Sequence, residues 1–251
     1  MPQLSFKVLT ANVHKGFSLF NRRFILSELR EAVREVGAEI VFLQEVLGSH
    51  ALFEKRVINW PTTSQYEYLA DSIWPNVAYG RNAIYPKDDH DNALLSKFPI
   101  LRYDNHDFAH EGDEKRGILH GVLSTPTLGA KNIHVICVHF GLTEAQRIGQ
   151  LDRLTNLIQT SIPYDAPLIV AGDFNDWRLR VHDLMEKRLG LREVFVQANG
   201  EAAKTFPARL PLLRLDRIYV RNADAHAPVV LPRKPWSHLS DHAPLVAEIH
   251  L

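Results

Sequence analysis

Short apolar runs, several with polar residues at or near their ends, constrain the fold of this chain most strongly. The runs are rich in β-branched and aromatic residues, which is typical of buried strands. Amphipathic helix patterns separate the earlier runs, whereas the last runs follow one another with little helix. This order predicts an α/β (α+β) sandwich with mixed sheets, not a regular parallel barrel. The strongest runs are residues 4–13, 39–43, 132–140, 168–171, 215–220 and 245–249.

Helical periodicity is clear in three segments. The first begins at Arg23, carries an apolar stripe from Ile25 to Val36 and has a plausible stop at Gly37. The second begins at Thr143, which stands at capping-box spacing from Gln146, and the third covers residues 181–189. The predicted apolar face of the second helix consists of Ile148, Leu151, Leu154, Leu157 and Ile158.

Composition and charge are those of an ordinary globular protein. Of 251 residues, 45% are hydrophobic, and 29 basic residues balance 29 acidic ones. This balance excludes a protein whose whole surface is basic and binds nucleic acid, and only a local basic patch remains possible. The single cysteine, Cys137, lies in an apolar run and predicts a buried thiol. Without a secretory pattern or a membrane-length apolar run, we expect one cytoplasmic domain over residues 1–251, acting as a monomer.

The segment after residue 171 carries the first candidate for chemistry. Gly172 allows the backbone to turn sharply, and Asp173 and Asn175 follow it. A carboxylate can accept a proton from water, and an amide can bind an oxyanion or orient that water. An ordinary Asx turn is the alternative interpretation.

A second candidate joins two distant residues. Asp216 lies inside a β-like run, where an unpaired buried carboxylate is unfavourable, so we expect it to have a partner. His242 is our candidate, because a carboxylate can orient an imidazole and stabilise its charged form against a phosphate. A salt bridge from Asp216 to an arginine such as Arg217 is the alternative.

Glu45 follows an apolar run and is the candidate for metal binding. One hard oxygen ligand, together with water and substrate phosphate, is the usual way in which proteins hold magnesium. A solvated charge at a strand end is the alternative interpretation. No Cys/His cluster in the sequence has zinc spacing.

Taken together, the motifs resemble the endonuclease/exonuclease/phosphatase superfamily, which has the fold of deoxyribonuclease I and the apurinic endonucleases. The resemblance extends from residue 4 to residue 251, and residues 12–16, 139–144 and 205–207 resemble a bacterial branch of the superfamily. It implies a four-layer α/β sandwich with two central mixed β-sheets flanked by helices. The motifs occur in the expected order at residues 10–14, 43–46, 138–142, 172–175, 215–218 and 240–245.

The resemblance also implies a reaction and a cofactor. The reaction is metal-assisted, in-line attack of water on a phosphoester, with Mg²⁺ or Mn²⁺ as the metal. Glu45 would be the principal metal ligand, Asn12 would sit at the metal, and Asp241 would assist.

The remaining roles implied by the resemblance concern the water and the phosphate. Asp173 would orient or deprotonate the water, and Asn175 would bind a phosphate oxygen. His139 would contact the scissile phosphate. Asp216 and His242 would form the carboxylate–imidazole pair, with His242 stabilising the phosphate as charge builds.

Four residues are candidate substrate contacts on weaker grounds. His14 stands where the abasic-site nucleases carry a different residue, so it changes the environment of the metal. Arg116 would meet a substrate phosphate or pair with Glu114. Trp177 would line the pocket or pack in the core. Trp236 follows a basic stretch and is the fourth candidate.

That basic stretch, residues 204–234, has seven basic and two acidic residues, a net charge of +5 by subtraction. It would hold a nucleic-acid backbone with a base stacked on an aromatic ring. Equally, it would hold anionic lipid headgroups, with Trp236 at the interface. A solvated loop is the third alternative.

Three functions follow from these observations. The first is phosphodiester hydrolysis, with DNA as the first substrate to test. The second is the same chemistry on a phospholipid, a sphingolipid-like molecule or a small soluble phosphoester. The third is an inactive binding module, although a scaffold has no physical need for Glu45, Asp173, Asp216 and His242 together.

Overall fold

Two six-stranded β-sheets form the centre of the computed structural model. The structure describes residues 4–18, 23–48, 57–80, 90–107, 116–125 and 131–251. The apolar inner faces of the sheets pack against each other, and helices cover both outer faces. The predicted four-layer sandwich is confirmed.

The first sheet has the strand order β11-β12-β1-β2-β4-β3. Strands β1 and β2 run parallel, and the other pairs in this sheet are antiparallel. The bounds are Ser5–Asn12 for β1, Ile40–Leu47 for β2, Asn76–Tyr79 for β3, His90–Ser96 for β4, Asp224–Val230 for β11 and Leu245–His250 for β12.

The second sheet has the order β5-β6-β7-β8-β10-β9. Only β7 and β8 run parallel among its described strands. The bounds are Ile100–Asp107 for β5, Gly117–Leu123 for β6, Ile133–His139 for β7, Leu168–Asp173 for β8, Arg192–Glu193 for β9 and Asp216–Arg221 for β10.

Helices α1, α2 and α6 pack on the first sheet, and α3 and α4 pack on the second. Short helix α5 contributes to the core between the sheets. The bounds are Leu26–Val36 for α1, Gln65–Ala70 for α2, Glu144–Ser161 for α3, Arg180–Leu189 for α4, Val194–Asn199 for α5 and Arg233–Leu239 for α6. Among the described residues, no helix combines the length and apolar character that crossing a bilayer requires.

The predicted helix boundaries agree with the structure, apart from small shifts at the ends. Gly37 and Gly190 end α1 and α4 in left-handed conformations, with φ of 69° and 62°. Thr143 and Gln146 form the predicted capping box at the start of α3.

The predicted apolar face of α3 is wrong at Ile148, which is 43% exposed. The buried positions in this part of the helix are polar, namely Arg147 and Gln150. Arg147 donates hydrogen bonds to the carbonyl groups of Gly141 and Leu142, and Gln150 accepts one from the Gly141 amide. The helix is therefore turned so that it holds the loop that follows β7.

The core between the sheets contains the single cysteine, as predicted. Cys137 is fully buried, and Gln44 lies 3.2 Å from its sulfur. Burial raises the pKa of the Cys137 thiol to about 12, so the thiol stays protonated and unreactive.

We predict that Gly172→Ala destabilises the protein by about 3 kcal/mol or more. Gly172 has φ of 145°, and an added Cβ would collide with the carbonyl oxygen of Val138 on the neighbouring strand. Chemical denaturation measures the change. The matched control is Gly149→Ala, where a Cβ meets no atom within 4 Å and a gain of about 0.5–1 kcal/mol is expected in α3. Equal stability of the two variants would contradict the prediction.

Candidate active site

Strand register brings three predicted site residues side by side at the ends of neighbouring inner strands of the second sheet. Asp173, the last residue of β8, pairs with His139 at the end of β7 and with Asp216 at the start of β10. All three side chains are almost completely buried. The topology alone therefore assembles a carboxylate, an imidazole and a second carboxylate.

Asn12 and Glu45 approach this group from the first sheet. Asn12 ends β1, and its Nδ2 lies 3.2 Å from Glu45 Oε1 and 3.4 Å from Asp173 Oδ2. The Asn12 amide therefore links the two sheets at the site.

Glu45 lies inside β2, two residues beyond the predicted end of this strand. The pairing with β4 shifts between Leu43 and Val46, and Glu45 has φ of 56°. Such a bulge adds a residue to one strand and redirects a side chain. The strand thus continues through Glu45 while its carboxylate points into the site.

The turn after β8 fixes the orientation of Asp173. The backbone N–H of Asn175 donates to Asp173 Oδ1 at 2.9 Å, and the Asn175 side chain donates to the carbonyl of Phe140 at 2.9 Å. This is the Asx turn that the sequence left as an alternative. It leaves Asp173 Oδ2 directed at the other site residues, so the turn and a catalytic role are compatible.

Asp216 has the partner expected from the sequence. His242 Nδ1 lies 2.8 Å from Asp216 Oδ2, and His242 Nε2 lies 3.9 Å from Asp173 Oδ2. Arg217, the alternative partner of Asp216, instead pairs with Asp176 in the core.

Burial and nearby charges shift the pKa values of Asp173 and His242. Burial raises the pKa of Asp173 to about 6; the His242 charge opposes this shift and the Asp216 charge adds to it. For His242, burial by itself lowers the pKa, but the carboxylates of Asp216 and Asp173 outweigh burial and raise it to about 10. At neutral pH His242 is therefore a buried cation beside an ionised Asp173.

His14 and Asp241 lie at the more exposed side of the site, next to Glu45. His14 Nδ1 is 3.9 Å from Glu45 Oε2 and 3.6 Å from Asp241 Oδ1. The His14 backbone N–H donates to Asn12 Oδ1 at 3.0 Å. Within the described part of the chain, Asp241 Oδ1 has no hydrogen-bond partner although it is buried. The carboxylates of Glu45 and Asp241 therefore both face the His14 ring, and the Asn12 side-chain oxygen holds the His14 backbone.

Arg116 contacts the site from β6's N-terminal end. Its Nη1 contacts Nε2 of His139 and donates to the carbonyl of Phe140 at 2.7 Å. Glu114, its alternative partner, lies outside the described residues. A guanidinium only donates, so this contact makes His139 Nε2 an acceptor and adds a fixed positive charge.

The two tryptophans have different positions. Trp177 is 42% exposed, and its ring lies near the guanidinium groups of Arg147 and Arg178. Trp236 is 3% exposed and packs in the core beneath α6. The expectation that Trp236 contacts substrate is therefore wrong, because its ring is buried in the core cluster that contains residues of α1 and the first sheet.

The basic stretch of residues 204–234 is not one continuous patch. Arg217 is buried with Asp176, Arg214 pairs with Glu201, and Arg221 stacks on the Tyr164 ring.

Two positioning residues escaped the sequence analysis. Ser240 donates from its hydroxyl to the Asn12 carbonyl at 2.6 Å and accepts from the His242 amide at 3.1 Å. Thr205 Oγ1 accepts from the amides of Leu215 and Asp216. Ser240 lies in the Ser-Asp-His motif, which is a sequence signal for it, whereas Thr205 has no comparable spacing signal.

Comparisons with known proteins identify the family of this chain. The model of the Endonuclease/Exonuclease/phosphatase family matches residues 9–242. An uncharacterized protein of Escherichia coli K12, YbhP, is 56% identical over 249 residues, which cover 99% of this chain and 98% of YbhP.

Solved structures show the same fold. An endonuclease/exonuclease/phosphatase of Beutenbergia cavernae superposes with a TM-score of 0.77 at 17% identity, covering 98% of this chain and 72% of that one. Truncated Caenorhabditis elegans TDP2 superposes with a TM-score of 0.69 at 18% identity, covering 99% and 98%.

The family model and the fold support a phosphoester hydrolase of the nuclease or phosphatase type. The chain belongs to the endonuclease/exonuclease/phosphatase family.

We predict that Asp216→Asn lowers the pKa of His242 from about 10 towards the ordinary value of 6.5. The raised pKa stabilises the fold fully below pH 6.5, and this contribution is lost as the pH rises through about 10. NMR titration of the imidazole in metal-free protein measures the shift. Asp224→Asn, which removes an exposed carboxylate, is the control. A wild-type His242 that titrates near 6.5 would contradict this prediction.

Proposed function

We propose that the protein is a Mg²⁺-dependent phosphodiesterase, in which an activated water attacks phosphorus in line with the leaving oxygen. The observation that carries the proposal is the position of Asp173 Oδ2. It lies 3.4 Å from Asn12 Nδ2, 3.5 Å from His139 Nε2 and 3.9 Å from His242 Nε2. The proposed base, the Asn12 amide N–H and the charged His242 ring thus converge at one point, with the His139 ring beside them.

The chemical type of the side chains around Glu45 suits a hard divalent cation. Glu45, Asp241 and Asn12 offer oxygen ligands, which Mg²⁺ prefers, and Asp241 Oδ1 has no hydrogen-bond partner among the described residues. Bound there, the metal would polarise a phosphoryl oxygen and offset charge in the transition state.

A second group of potential ligands fits a cation less well. Asp173, Asp216 and His242 each offer one atom, and these atoms lie within 4.8 Å of one another. However, His242 Nδ1 is already bonded to Asp216, and its raised pKa keeps the ring positively charged. A cation bound there would have to displace this hydrogen bond, which favours the group around Glu45.

Asp173 is the proposed base. One of its oxygens is held by the Asn175 amide, and the other is available to water. With a pKa of about 6, the carboxylate is ionised at neutral pH and is more basic than an exposed aspartate. It would take a proton from water as the water oxygen bonds to phosphorus and the ester oxygen leaves.

Positive charge would stabilise the phosphate as the reaction proceeds. His242 is charged through its pairing with Asp216, and Arg116 adds a permanent charge beside His139. The Asn175 amide has a second N–H beyond the one bonded to Phe140, and this N–H would bind a phosphate oxygen. Fixed charges of this kind need no reorganisation during the reaction.

DNA is the first substrate to assay, because supercoiled plasmid reports a single cleavage event. A lipid phosphodiester is the second candidate, and exposed leucines beside the site favour it. Failure to hydrolyse any phosphoester with Mg²⁺ or Mn²⁺ would support the inactive binding module instead.

We predict that Asp173→Asn lowers kcat at least a hundredfold, because it preserves shape and removes the base. Hydrolysis of bis(p-nitrophenyl) phosphate and plasmid nicking measure the loss, with circular dichroism as the check on folding. Asp152→Asn changes an exposed aspartate on α3 and should retain full activity. Near-wild-type turnover by Asp173→Asn would refute its assignment as the base.

Glu45→Gln should weaken Mn²⁺ binding at least tenfold, because it removes the negative charge from the proposed principal ligand. Calorimetric titration of metal-free protein measures the affinity without relying on turnover. Glu35→Gln, on the exposed side of α1, serves as the control and should bind like wild type. Unchanged Mn²⁺ affinity in Glu45→Gln would show that this carboxylate is not the principal metal ligand.

A further inference from the structure

A loop beside the site displays leucines to solvent. In residues 206–213, Leu210 is 67% exposed, Leu212 59% and Leu213 37%. The loop is closed by its own backbone, since the amides of Leu212 and Leu213 both donate to the Phe206 carbonyl at 2.8 Å. The leucines are therefore presented by a fixed backbone and do not reach the core.

This leucine loop is attached directly to the site. The Ala208 amide donates to the Asp241 carbonyl at 2.7 Å, and the Phe206 ring centroid lies 5.0 Å from that of His242. Whatever binds the loop is consequently held next to the reacting groups.

A basic cavity of about 400 Å³ lies against the same loop. No acidic residue lines it, and within the described chain Arg209, Arg233 and Lys234 form no ion pair with a carboxylate. The other arginines of residues 204–234, namely Arg214, Arg217 and Arg221, contact other side chains and do not line this cavity. The cavity is lined by Arg209, Arg233, Lys234, Ser237 and His238.

We propose that the leucine loop and the basic cavity together dock on the surface of an anionic lipid bilayer. Exposed apolar side chains next to cations match the boundary between acyl chains and negatively charged headgroups. This inference rests on the proposed function and makes a phosphodiester in a lipid headgroup the substrate class.

Charge alone would also suit a nucleic-acid backbone, but the other side chains favour lipid. Base stacking needs an exposed aromatic face. Trp236, next to the cavity lining in sequence, is buried, and Phe206 is packed against His242. The groups that this surface does expose are leucines, which suit an apolar phase.

Cosedimentation with vesicles of equal parts phosphatidylglycerol and phosphatidylcholine tests the proposal, with phosphatidylcholine vesicles for comparison. We expect wild type to bind only the anionic vesicles. Arg233→Gln should weaken partitioning about fivefold, following the attraction typical of one cation near an anionic membrane. Leu210→Ser combined with Leu212→Ser should weaken it about tenfold, since apolar area is lost from the bilayer.

Matched variants separate the surface from general effects. Tyr164→Ser removes an exposed ring at the opposite end of β8, and Lys187→Gln removes an exposed cation from α4. Both should bind anionic vesicles like wild type. Circular dichroism of the leucine variant confirms that it is folded before its binding is compared.

The outcomes distinguish the inference from the function on which it rests. Equal partitioning of wild type and the leucine variant would overturn the docking surface. A second outcome would also overturn it. In that outcome, wild type binds a DNA oligonucleotide but not vesicles, Arg233→Gln weakens DNA binding, and the leucine variant binds DNA like wild type. Hydrolysis of bis(p-nitrophenyl) phosphate by wild type without vesicle binding refutes the inference alone. Vesicle binding without hydrolysis of any phosphoester refutes the proposed function and leaves the surface standing.

Discussion

The burial of Asp173 between two sheets is the constraint on which the rest of the site depends. A carboxylate that is 1% exposed needs compensating groups, because an unpaired buried charge is strongly unfavourable. Asn175 supplies a backbone N–H, Asn12 a side-chain amide and His242 a positive charge. Of the residues that stabilise this buried carboxylate, His242 and Asn175 would also bind a phosphate in our proposal, and Asn12 would bind the metal.

This arrangement links stability with catalysis. His242 keeps its charge because Asp216 holds its other nitrogen, and Thr205 in turn holds the Asp216 backbone. Ser240 joins the His242 segment to the end of β1. Hydrogen bonds made by the side chains of Thr205, Asp216 and Ser240 thus fix one imidazole, which is the preorganisation that electrostatic catalysis requires.

Much of the fold could be read from local patterns, and the errors have physical causes. Capping at Thr143 and the stop at Gly37 depend on neighbouring residues, so spacing predicted them. The bulge at Glu45 and the polar buried face of α3 arise from contacts with other strands and loops, which spacing does not encode. The prediction that Trp236 contacts substrate was wrong because basic residues nearby in sequence do not indicate which face of a short helix is buried.

The central claim is a single in-line displacement by water, with Asp173 as the base. The stereochemistry at phosphorus tests it most directly. The measurement is hydrolysis of one diastereomer of a chiral phosphorothioate diester in ¹⁸O-water, followed by analysis of the product configuration. Our account predicts inversion with ¹⁸O bonded to phosphorus. Retention would contradict it, because it requires two displacements and a covalent intermediate on the protein.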